Sequence, residues 1–210
     1  MYLTVGTHPD IVFAVSTVIQ FCQDPGLEHW EAVKQIYRYL LGTKKLALTF
    51  GEGKQGLKGF TDADRVSQEH RHVISGYVYI LDGGAVSWVS KKQELVTLSM
   101  MEAEYVTAMH TAKEGIWLHQ LIEEVFRPLA HPTPLYLDGQ SVITLTKDRS
   151  YHARMKHINI RYHFICLVVD NHSLRLVYCP TDSMAADTIT KALPSVKAKH
   201  FATSLGLCSI

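Results

Sequence analysis

Residues 57–64 read Leu57-Lys58-Gly59-Phe60-Thr61-Asp62-Ala63-Asp64, and the pattern of the chain changes from helix to strand at this point. The preceding Gly51-Glu52-Gly53-Lys54-Gln55-Gly56 is a flexible polar break. Downstream, short aromatic or β-branched segments at 76–81 and 85–90 flank Asp82-Gly83-Gly84, which is typical of a hairpin turn. The sequence therefore predicts that a sheet begins at residue 57, and that the chain divides into residues 1–50 and 51–210.

Helical and strand patterns alternate after the hairpin. A helix is predicted over 100–126, because its apolar residues keep helical spacing and Pro128 ends it. The following segments predict a strand at 135–138, a helix through 145, a helix at 161–170, a strand at 174–179, and a final helix at 183–193 stopped by Pro194. This order predicts an α/β fold, in which helices cover a mixed sheet.

Residues 1–50 predict two helices. Thr7-His8-Pro9-Asp10 supplies an N-cap, an early proline and an acidic first turn for a helix over 11–21, which Asp24-Pro25-Gly26 ends. The second helix, over 27–41, places Trp30, Val33, Tyr37 and Leu40 on one face. We expect these helices to pack on the domain that follows.

Composition sets limits on function. A chain of 210 residues with 47% hydrophobic and 20% charged residues is typical of one sizeable globular domain with a short appendage. Its net charge of +1 gives no overall signal for a polyanionic partner, so any nucleic-acid contact has to come from local patches. The four cysteines lack zinc-site spacing, and we expect reduced thiols in an intracellular protein. Neither a signal peptide nor a membrane-spanning segment is predicted.

Four acidic residues fall where a strand ends or a helix begins: Asp62, Glu104, Asp138 and Asp187. Carboxylates held close together resist ionising unless a cation lies among them. Mg²⁺ prefers oxygen ligands and phosphate substrates. If folding gathers these four side chains, the pattern predicts a metal-dependent phosphodiesterase.

Two of the four positions have rivals. Asp64 shares a strand face with Asp62, so either or both are candidate ligands. Glu102 lies close to Glu104, but Ser99-Met100-Met101-Glu102 matches a capping box, which gives Glu102 a structural role and leaves Glu104 for the site. Taken singly, each acid is more often a cap, a turn former or a surface group.

Several ordered motifs closely resemble the ribonuclease H domain of copia-type LTR retrotransposons. They are Gly59-Phe60-Thr61-Asp62-Ala63-Asp64, Ser75-Gly76-Tyr77-Val78, Val86-Ser87-Trp88-Val89-Ser90-Lys91-Lys92-Gln93, Glu102-Ala103-Glu104-Tyr105, the run from Lys156 to Phe164, and the run from Ala186 to Pro194. The leading segment, from Thr7 to Lys44, resembles the stretch of a copia polyprotein that joins reverse transcriptase to ribonuclease H.

The resemblance implies a ribonuclease H-like fold, with a mixed five-stranded sheet and helices on both faces. It implies hydrolysis of the RNA strand of RNA–DNA hybrids, with Asp62, Glu104, Asp138 and Asp187 as ligands of Mg²⁺, or alternatively Mn²⁺. The implied partners are the hybrid and the reverse transcriptase region of a parent polyprotein, with no membrane. The implied location is the cytoplasm, within a virus-like particle, or the nucleus.

A two-metal site holds ions about 3.5–4 Å apart, which clamp the attacking and leaving oxygens. Asp62 is the candidate bridging ligand, and Glu104 is expected to help read the 2′-hydroxyl that distinguishes RNA from DNA. Family analogy implies a 5′-phosphate product and a histidine that assists product release. His157 is the first candidate, His152 and His163 are rivals, and a surface or helix-packing histidine is the favoured alternative among twelve histidines.

Basic residues between 147 and 163 form a candidate patch for backbone phosphates, with a solvated helix face as the alternative. The patch contains Lys147, Arg149, Arg154, Lys156 and Arg161. Trp88, Tyr105 and Trp117 are predicted to be core residues and not base-stacking residues.

Three departures from the family pattern favour a second hypothesis, a catalytically silent remnant that binds nucleic acid or has only a structural role. Arg65 replaces an aromatic residue, Gly139 replaces an asparagine and Asn159 replaces an aspartate. All four acids are nevertheless present, which favours an active enzyme. An integrase-like nuclease is a third hypothesis, and the presence of Asp187 argues against it.

Overall fold

The computed structural model describes residues 1–51, 56–65, 73–93, 99–126, 129, 131–147 and 159–210. Its main feature is a five-stranded sheet of order β4-β3-β2-β5-β6. The strands are β2 (Lys58–Arg65), β3 (Val73–Leu81), β4 (Gly84–Lys92), β5 (Thr133–Leu137) and β6 (Leu174–Tyr178). β2 pairs antiparallel with β3 and parallel with β5, and β6 adds a further parallel strand. The predicted mixed sheet is confirmed.

A two-residue turn joins β3 to β4. Asp82 and Gly83 both have positive φ, of 48° and 91°, which matches the right-handed twist of the flanking strands. The predicted hairpin is therefore confirmed. Both strands extend further than the patterns at 76–81 and 85–90 indicated, and β3 already begins at Val73.

Helices cover both faces of the sheet, as neighbouring residues of β2 demonstrate. Thr61 Oγ1 lies 2.8 Å from Thr111 Oγ1 of α4 (Met100–Val125), whereas Asp62 accepts a hydrogen bond from Thr190 of α7 (Asp187–Thr190). Successive side chains of a strand point to opposite faces, so α4 and α7 lie on opposite sides. The predicted helices continue with α5 (Gln140–Lys147) and α6 (Asn159–Asp170), which share a core with α4.

The N-terminal part packs on β4. It consists of α1 (Tyr2–Gly6), a 3-10 turn (Pro9–Ile11), α2 (Val12–Ile19) and α3 (Leu27–Gly42). Trp88 Nε1 of β4 donates to Thr4 O at 2.6 Å, and Val12 packs against the buried cluster that contains Val78 and Ile189. The division at residue 50 stays a prediction, and the expected packing of these helices on the sheet is present.

Helix α2 differs from the helix predicted over 11–21. A 3-10 turn precedes it, no side chain caps the turn, and α2 ends at Ile19 instead of residue 21. On α3, Trp30 and Tyr37 of the predicted apolar face are exposed. β1 (Leu46–Leu48) then pairs antiparallel with β7 (Leu207–Ser209). Neither strand was predicted, because three residues are too few to show a strand pattern.

The predicted final helix over 183–193 is wrong. A 3-10 turn at Thr181–Ser183 is followed by extended Met184, the short α7, and extended Lys191. Pro194 then starts a new helix, α8 (Ser195–Ser204), instead of stopping one. Residues 184–190 are all buried, so they lack the alternation of buried and exposed positions by which a helix boundary is recognised.

Of the three aromatic residues predicted to be in the core, Tyr105 is fully buried and Trp88 is partly buried. Trp117 is 56% exposed on the outer side of α4, so its prediction is wrong. All four cysteines are free in this structure. Among the described residues, no helix has the length and apolar character needed to cross a bilayer.

A carboxylate cluster as the candidate active site

The register of two parallel strands brings Asp62 and Asp138 together. Phe60 of β2 lies opposite Tyr136 of β5, so Asp62 and Asp138 each lie two residues beyond a matched pair, and both line one cleft. Asp138 comes directly after β5, at the carboxyl end of the strand, instead of forming its last residue as predicted. Ligands of open α/β sheets bind at this edge.

Asp62 is buried and held from the α7 side. Thr190 Oγ1 donates a hydrogen bond to Asp62 Oδ2, and Lys191 Nζ lies 3.7 Å from the same oxygen. Gly76 makes this approach possible, because it lies opposite Asp62 on β3. A Cβ at Gly76 would overlap Thr190 Cγ2 and lie 3.0 Å from Ile189 Cγ1.

Asp187 is the first residue of α7 and is fully buried. Lys191 Nζ lies 2.9 Å from Asp187 Oδ1, but neither carboxylate oxygen accepts a well-formed hydrogen bond from the described residues. Burial, together with the charges of Asp62 and Asp138, raises the pKa of Asp187 to about 6, against the lowering effect of Lys191. A cation close to this carboxylate would therefore stabilise its ionised form.

Helix α4 carries Glu104 and is fixed to the sheet by polar contacts. Ser75 Oγ and Thr107 Oγ1 are 2.7 Å apart, and Gln93 Nε2 donates to Ala103 O at 3.0 Å. At its start, Ser99 Oγ accepts from Glu102 N at 3.1 Å, which confirms the Ser99 half of the predicted capping box. These bonds fix the rotation and the start of α4, and with them the position of Glu104.

Glu104 reaches the turn after β5. Ser141 Oγ donates to Glu104 Oε2 at 3.5 Å, and a Cβ at Gly139 would overlap the same oxygen. Glycine at position 139 therefore leaves room for the Glu104 carboxylate beside Asp138. This gives a structural consequence to one of the departures noted in the sequence.

Asp62, Glu104 and Asp138 line one open cleft, together with Thr61, Ala63, Thr107, Leu137 and Gly139. Burial raises the pKa of Glu104, and the charge of Asp138 raises it further. Burial likewise raises the pKa of Asp138, with a second contribution from Asp62. Neighbouring negative charge thus opposes the ionisation of Glu104 and Asp138 in this cleft, and Asp187 shares the Lys191 ammonium with Asp62.

The donor set fits a hard divalent cation by its chemistry, since it consists of carboxylate oxygens, of which the buried Asp187 Oδ2 has no hydrogen-bond donor among the described residues. In the described part of the chain, however, no three such side chains are arranged at metal-ligand distances. Thr190 and Lys191 contact Asp62, and Lys191 contacts Asp187, so these carboxylates are already engaged. Asp64, the rival of Asp62, contributes to the negative field that raises the pKa of Lys191.

The remaining predicted site residues are not tested. Arg154, Lys156, His152 and His157 fall outside the described residues, as does Arg149. Arg161 and His163 lie on α6, and Lys147 lies on α5, but their side chains are not among those described. Their roles remain predictions.

Two site residues, Thr190 and Lys191, were not assigned a role from the sequence. The pairing of Asp187 with a lysine four residues later was a readable signal, because such pairs are neighbours at the end of a helix. The hydroxyl of Thr190 gave no such signal. Its partner is 128 positions away in the chain.

No family model matches the chain. It is 46% identical over 198 residues, 94% of its length, to the retrovirus-related Pol polyprotein of transposon TNT 1-94 from Nicotiana tabacum. It is 35% identical over 206 residues, 97% of its length, to that of transposon RE2 from Arabidopsis thaliana. The chain spans only 15% and 14% of these two polyproteins.

A third relative is secreted RxLR effector protein 161 from Plasmopara viticola, which is 44% identical over 120 residues. That match covers 56% of this chain and 84% of the effector. Among solved structures, the N-terminal RNase H domain of a Mycobacterium tuberculosis protein, fused to maltose-binding protein, has a TM-score of 0.45 at 13% identity. It covers 71% of this chain and 97% of that one, and the likeness is too distant to add to the topology described above.

Proposed function

The chain belongs to the retrovirus-related Pol polyproteins of copia-type retrotransposons, and on this premise we propose that it supplies their ribonuclease H activity. The reaction would be hydrolysis of the RNA strand of an RNA–DNA hybrid. In this proposal, residues 1–50 are the end of the reverse transcriptase region and residues 51–210 form the nuclease. The reverse transcriptase region of the parent polyprotein is then a covalent partner.

One observation carries the proposal: Asp62, Glu104 and Asp138 line a single cleft at the carboxyl edge of the sheet, with Asp187 buried beside Asp62. Such a cluster is electrostatically costly for a fold to maintain. Perturbed carboxyl groups gathered in a cleft are typical of functional sites, and Mg²⁺ or Mn²⁺ would relieve their repulsion.

Asp62, Glu104, Asp138 and Asp187 would hold the ions. When bound, two divalent ions generate a water nucleophile and stabilise the leaving oxygen. The chain itself would contribute the placement of these candidate ligands: the register of β2 and β5 brings Asp62 and Asp138 to one cleft, and the polar contacts of α4 hold Glu104 at the same cleft. Glu104, a half-buried lining residue of the cleft, would face a ribose 2′-hydroxyl.

The basic residues Arg154, Lys156 and Arg161 would contact the phosphates of the hybrid, and His157 would assist product release. These roles rest on the sequence and the family resemblance alone. An alternative function is a catalytically silent remnant that binds nucleic acid or has a structural role. Its supporting observation is that Lys191 and Thr190 already contact the carboxylates of Asp62 and Asp187.

Cleavage of a labelled RNA–DNA hybrid tests the proposal. Purified protein is incubated with the hybrid, with double-stranded RNA and with double-stranded DNA, each in Mg²⁺ and in a chelator. We expect cleavage of the RNA strand of the hybrid alone, only in Mg²⁺, and its loss in Asp138→Asn. Asp182→Asn is the matched control, because Asp182 is an exposed aspartate that pairs with Lys197 at the surface.

Three outcomes contradict parts of the proposal. Activity that survives Asp138→Asn would overturn the site assignment. Hybrid binding without cleavage, in both Mg²⁺ and Mn²⁺, would establish the silent remnant. Equal cleavage of double-stranded RNA would change the substrate class.

A further inference from the structure

One ammonium group lies between two of the proposed metal ligands. Lys191 Nζ is 2.9 Å from Asp187 Oδ1 and 3.7 Å from Asp62 Oδ2. The carboxylate side chains are 1% and 5% exposed, respectively, whereas the lysine side chain is 28% exposed. The inference that follows rests on the proposed function, because it concerns the same carboxylates.

The backbone around Lys191 is fixed. Lys191 N–H donates to Asp187 O at 3.2 Å, and the residue itself is extended, with φ −144° and ψ 157°. The preceding residue, Thr190, is fully buried and bonded to Asp62. Asp62, Asp187 and the backbone of Lys191 thus form one unit, from which the flexible lysine side chain is the part free to move away.

A divalent ion ligated by both Asp62 and Asp187 would need the carboxylate oxygens that the ammonium now contacts. The Lys191 ammonium and a divalent metal ion are both positively charged, so they cannot contact the same carboxylate oxygens without strong repulsion. We propose that Lys191 is an internal counter-cation that holds Asp62 and Asp187 together and competes with a divalent metal ion for them. Lys191 is on this basis a positioning residue, which sets metal affinity and keeps the carboxylates close before the ion binds.

The competition has a measurable consequence. If the ammonium occupies the carboxylates nine tenths of the time, the apparent affinity for the ion falls about tenfold, because only the remaining tenth of the protein can bind it. Replacing Lys191 with methionine removes the charge and keeps a linear side chain. We expect Lys191→Met to bind Mn²⁺ about tenfold more tightly than the unaltered protein, in calorimetric titrations without nucleic acid.

Two further variants serve as controls. Lys197→Met removes a lysine whose Nζ lies 2.9 Å from Asp182 at the surface, and it should leave Mn²⁺ affinity unchanged. Lys191→Arg keeps the positive charge and should remain within about threefold of the unaltered protein. Unchanged or weaker binding by Lys191→Met would overturn the proposal, as would the absence of Mn²⁺ binding in every variant.

A second measurement uses the unaltered protein and guards against a variant that fails to fold. With ¹⁵N-labelled lysine, the Nζ resonance of Lys191 should shift on addition of Mg²⁺, while that of Lys197 should not. A Lys191 resonance that stays constant at saturating Mg²⁺ would contradict displacement.

The two proposals fail separately. A protein with the expected change in metal affinity that cleaves no hybrid keeps the role of Lys191 and loses the proposed function. A protein that cleaves hybrid, with equal metal affinity in Lys191→Met, keeps the function and loses the role of Lys191.

Discussion

Thr190 Oγ1 donates a hydrogen bond to Asp62 Oδ2, and this contact joins α7 to the central strand β2. Both residues are buried, and Asp62 is also one of the carboxylates of the cleft. The bond therefore serves the packing of α7 and the orientation of a site residue together. Because Oδ2 is held by the threonine, the orientation of the whole Asp62 carboxylate is restricted.

Thr190→Val tests this link, since valine keeps the shape of threonine and lacks the hydroxyl. A hydrogen bond to a charged acceptor contributes about 1.5–3 kcal/mol, and its loss leaves Asp62 without that donor. We expect lower stability by about 2 kcal/mol in urea denaturation, and a fall of about tenfold in the hybrid cleavage rate. Thr190→Ser should restore most of both, and a valine variant with full cleavage activity would show that the bond does not orient Asp62.

Gly76→Ala tests the close approach of α7 to the sheet. The added Cβ would overlap Thr190 Cγ2 and crowd Ile189, both fully buried. Overpacking of this kind costs about 1–3 kcal/mol, and we expect a loss of that size in the free energy of unfolding, together with reduced cleavage. Gly56→Ala is the matched control, because a Cβ there meets nothing within 4 Å, and an equal loss in both variants would contradict the argument.

The central part of the fold was readable from the sequence because its signals are local. The Asp82-Gly83 turn requires two residues that tolerate positive φ, and α4 combines a serine cap with 26 residues of sustained helical spacing. The secondary structure of the C-terminal segment could not be predicted correctly. Residues 184–190 are all buried, so they do not alternate between a buried and an exposed face. Strands β1 and β7 are too short to show a strand pattern.

The site was predictable only in part, for a related reason. Asp62 and Asp138 follow from their positions on a parallel strand pair, Asp62 within β2 and Asp138 directly after β5, a rule that needs the strand positions alone. The hydroxyl of Thr190, the space at Gly76 and the position of the Lys191 ammonium depend on how α7 meets the sheet. Such contacts are set by tertiary packing, and no periodicity in the sequence encodes them.

The buried carboxyl of Asp187 predicts a particular pH dependence of stability without metal. Its pKa is raised from 3.8 to about 6, so the folded state binds this proton more tightly than the unfolded chain. Stability therefore falls as pH rises from about 4 to about 6, and the loss persists at higher pH. The asparagine of Asp187→Asn does not titrate. The free energy of unfolding of this variant, relative to the unaltered protein, should therefore rise between about pH 4 and pH 6.

We expect a difference near zero at pH 4 and on the order of 1–3 kcal/mol in favour of Asp187→Asn at pH 7. The lower part of this range allows for the interaction with Lys191 that the variant also loses. Urea denaturation at several pH values, with a chelator present, measures it. Asp182→Asn should show no such trend, and a pH-independent difference for Asp187→Asn would contradict the raised pKa.

Gly139→Ala tests whether the space after β5 positions Glu104. The added Cβ would overlap Glu104 Oε2, the mobile end of a side chain, and would lie 3.5 Å from Val142 Cγ2, an ordinary contact. The fold should therefore tolerate the change, with stability altered by less than about 1 kcal/mol. The Glu104 carboxylate, however, has to move away from position 139. Displacing a site group by about 1 Å can reduce a rate about 100-fold, and we expect a loss of ten- to 100-fold in hybrid cleavage.

Combining Gly139→Ala with Glu104→Gln separates this cause from others. If alanine acts through Glu104, the double variant should be scarcely less active than Glu104→Gln alone, whereas additive losses would show that Gly139 matters for a different reason.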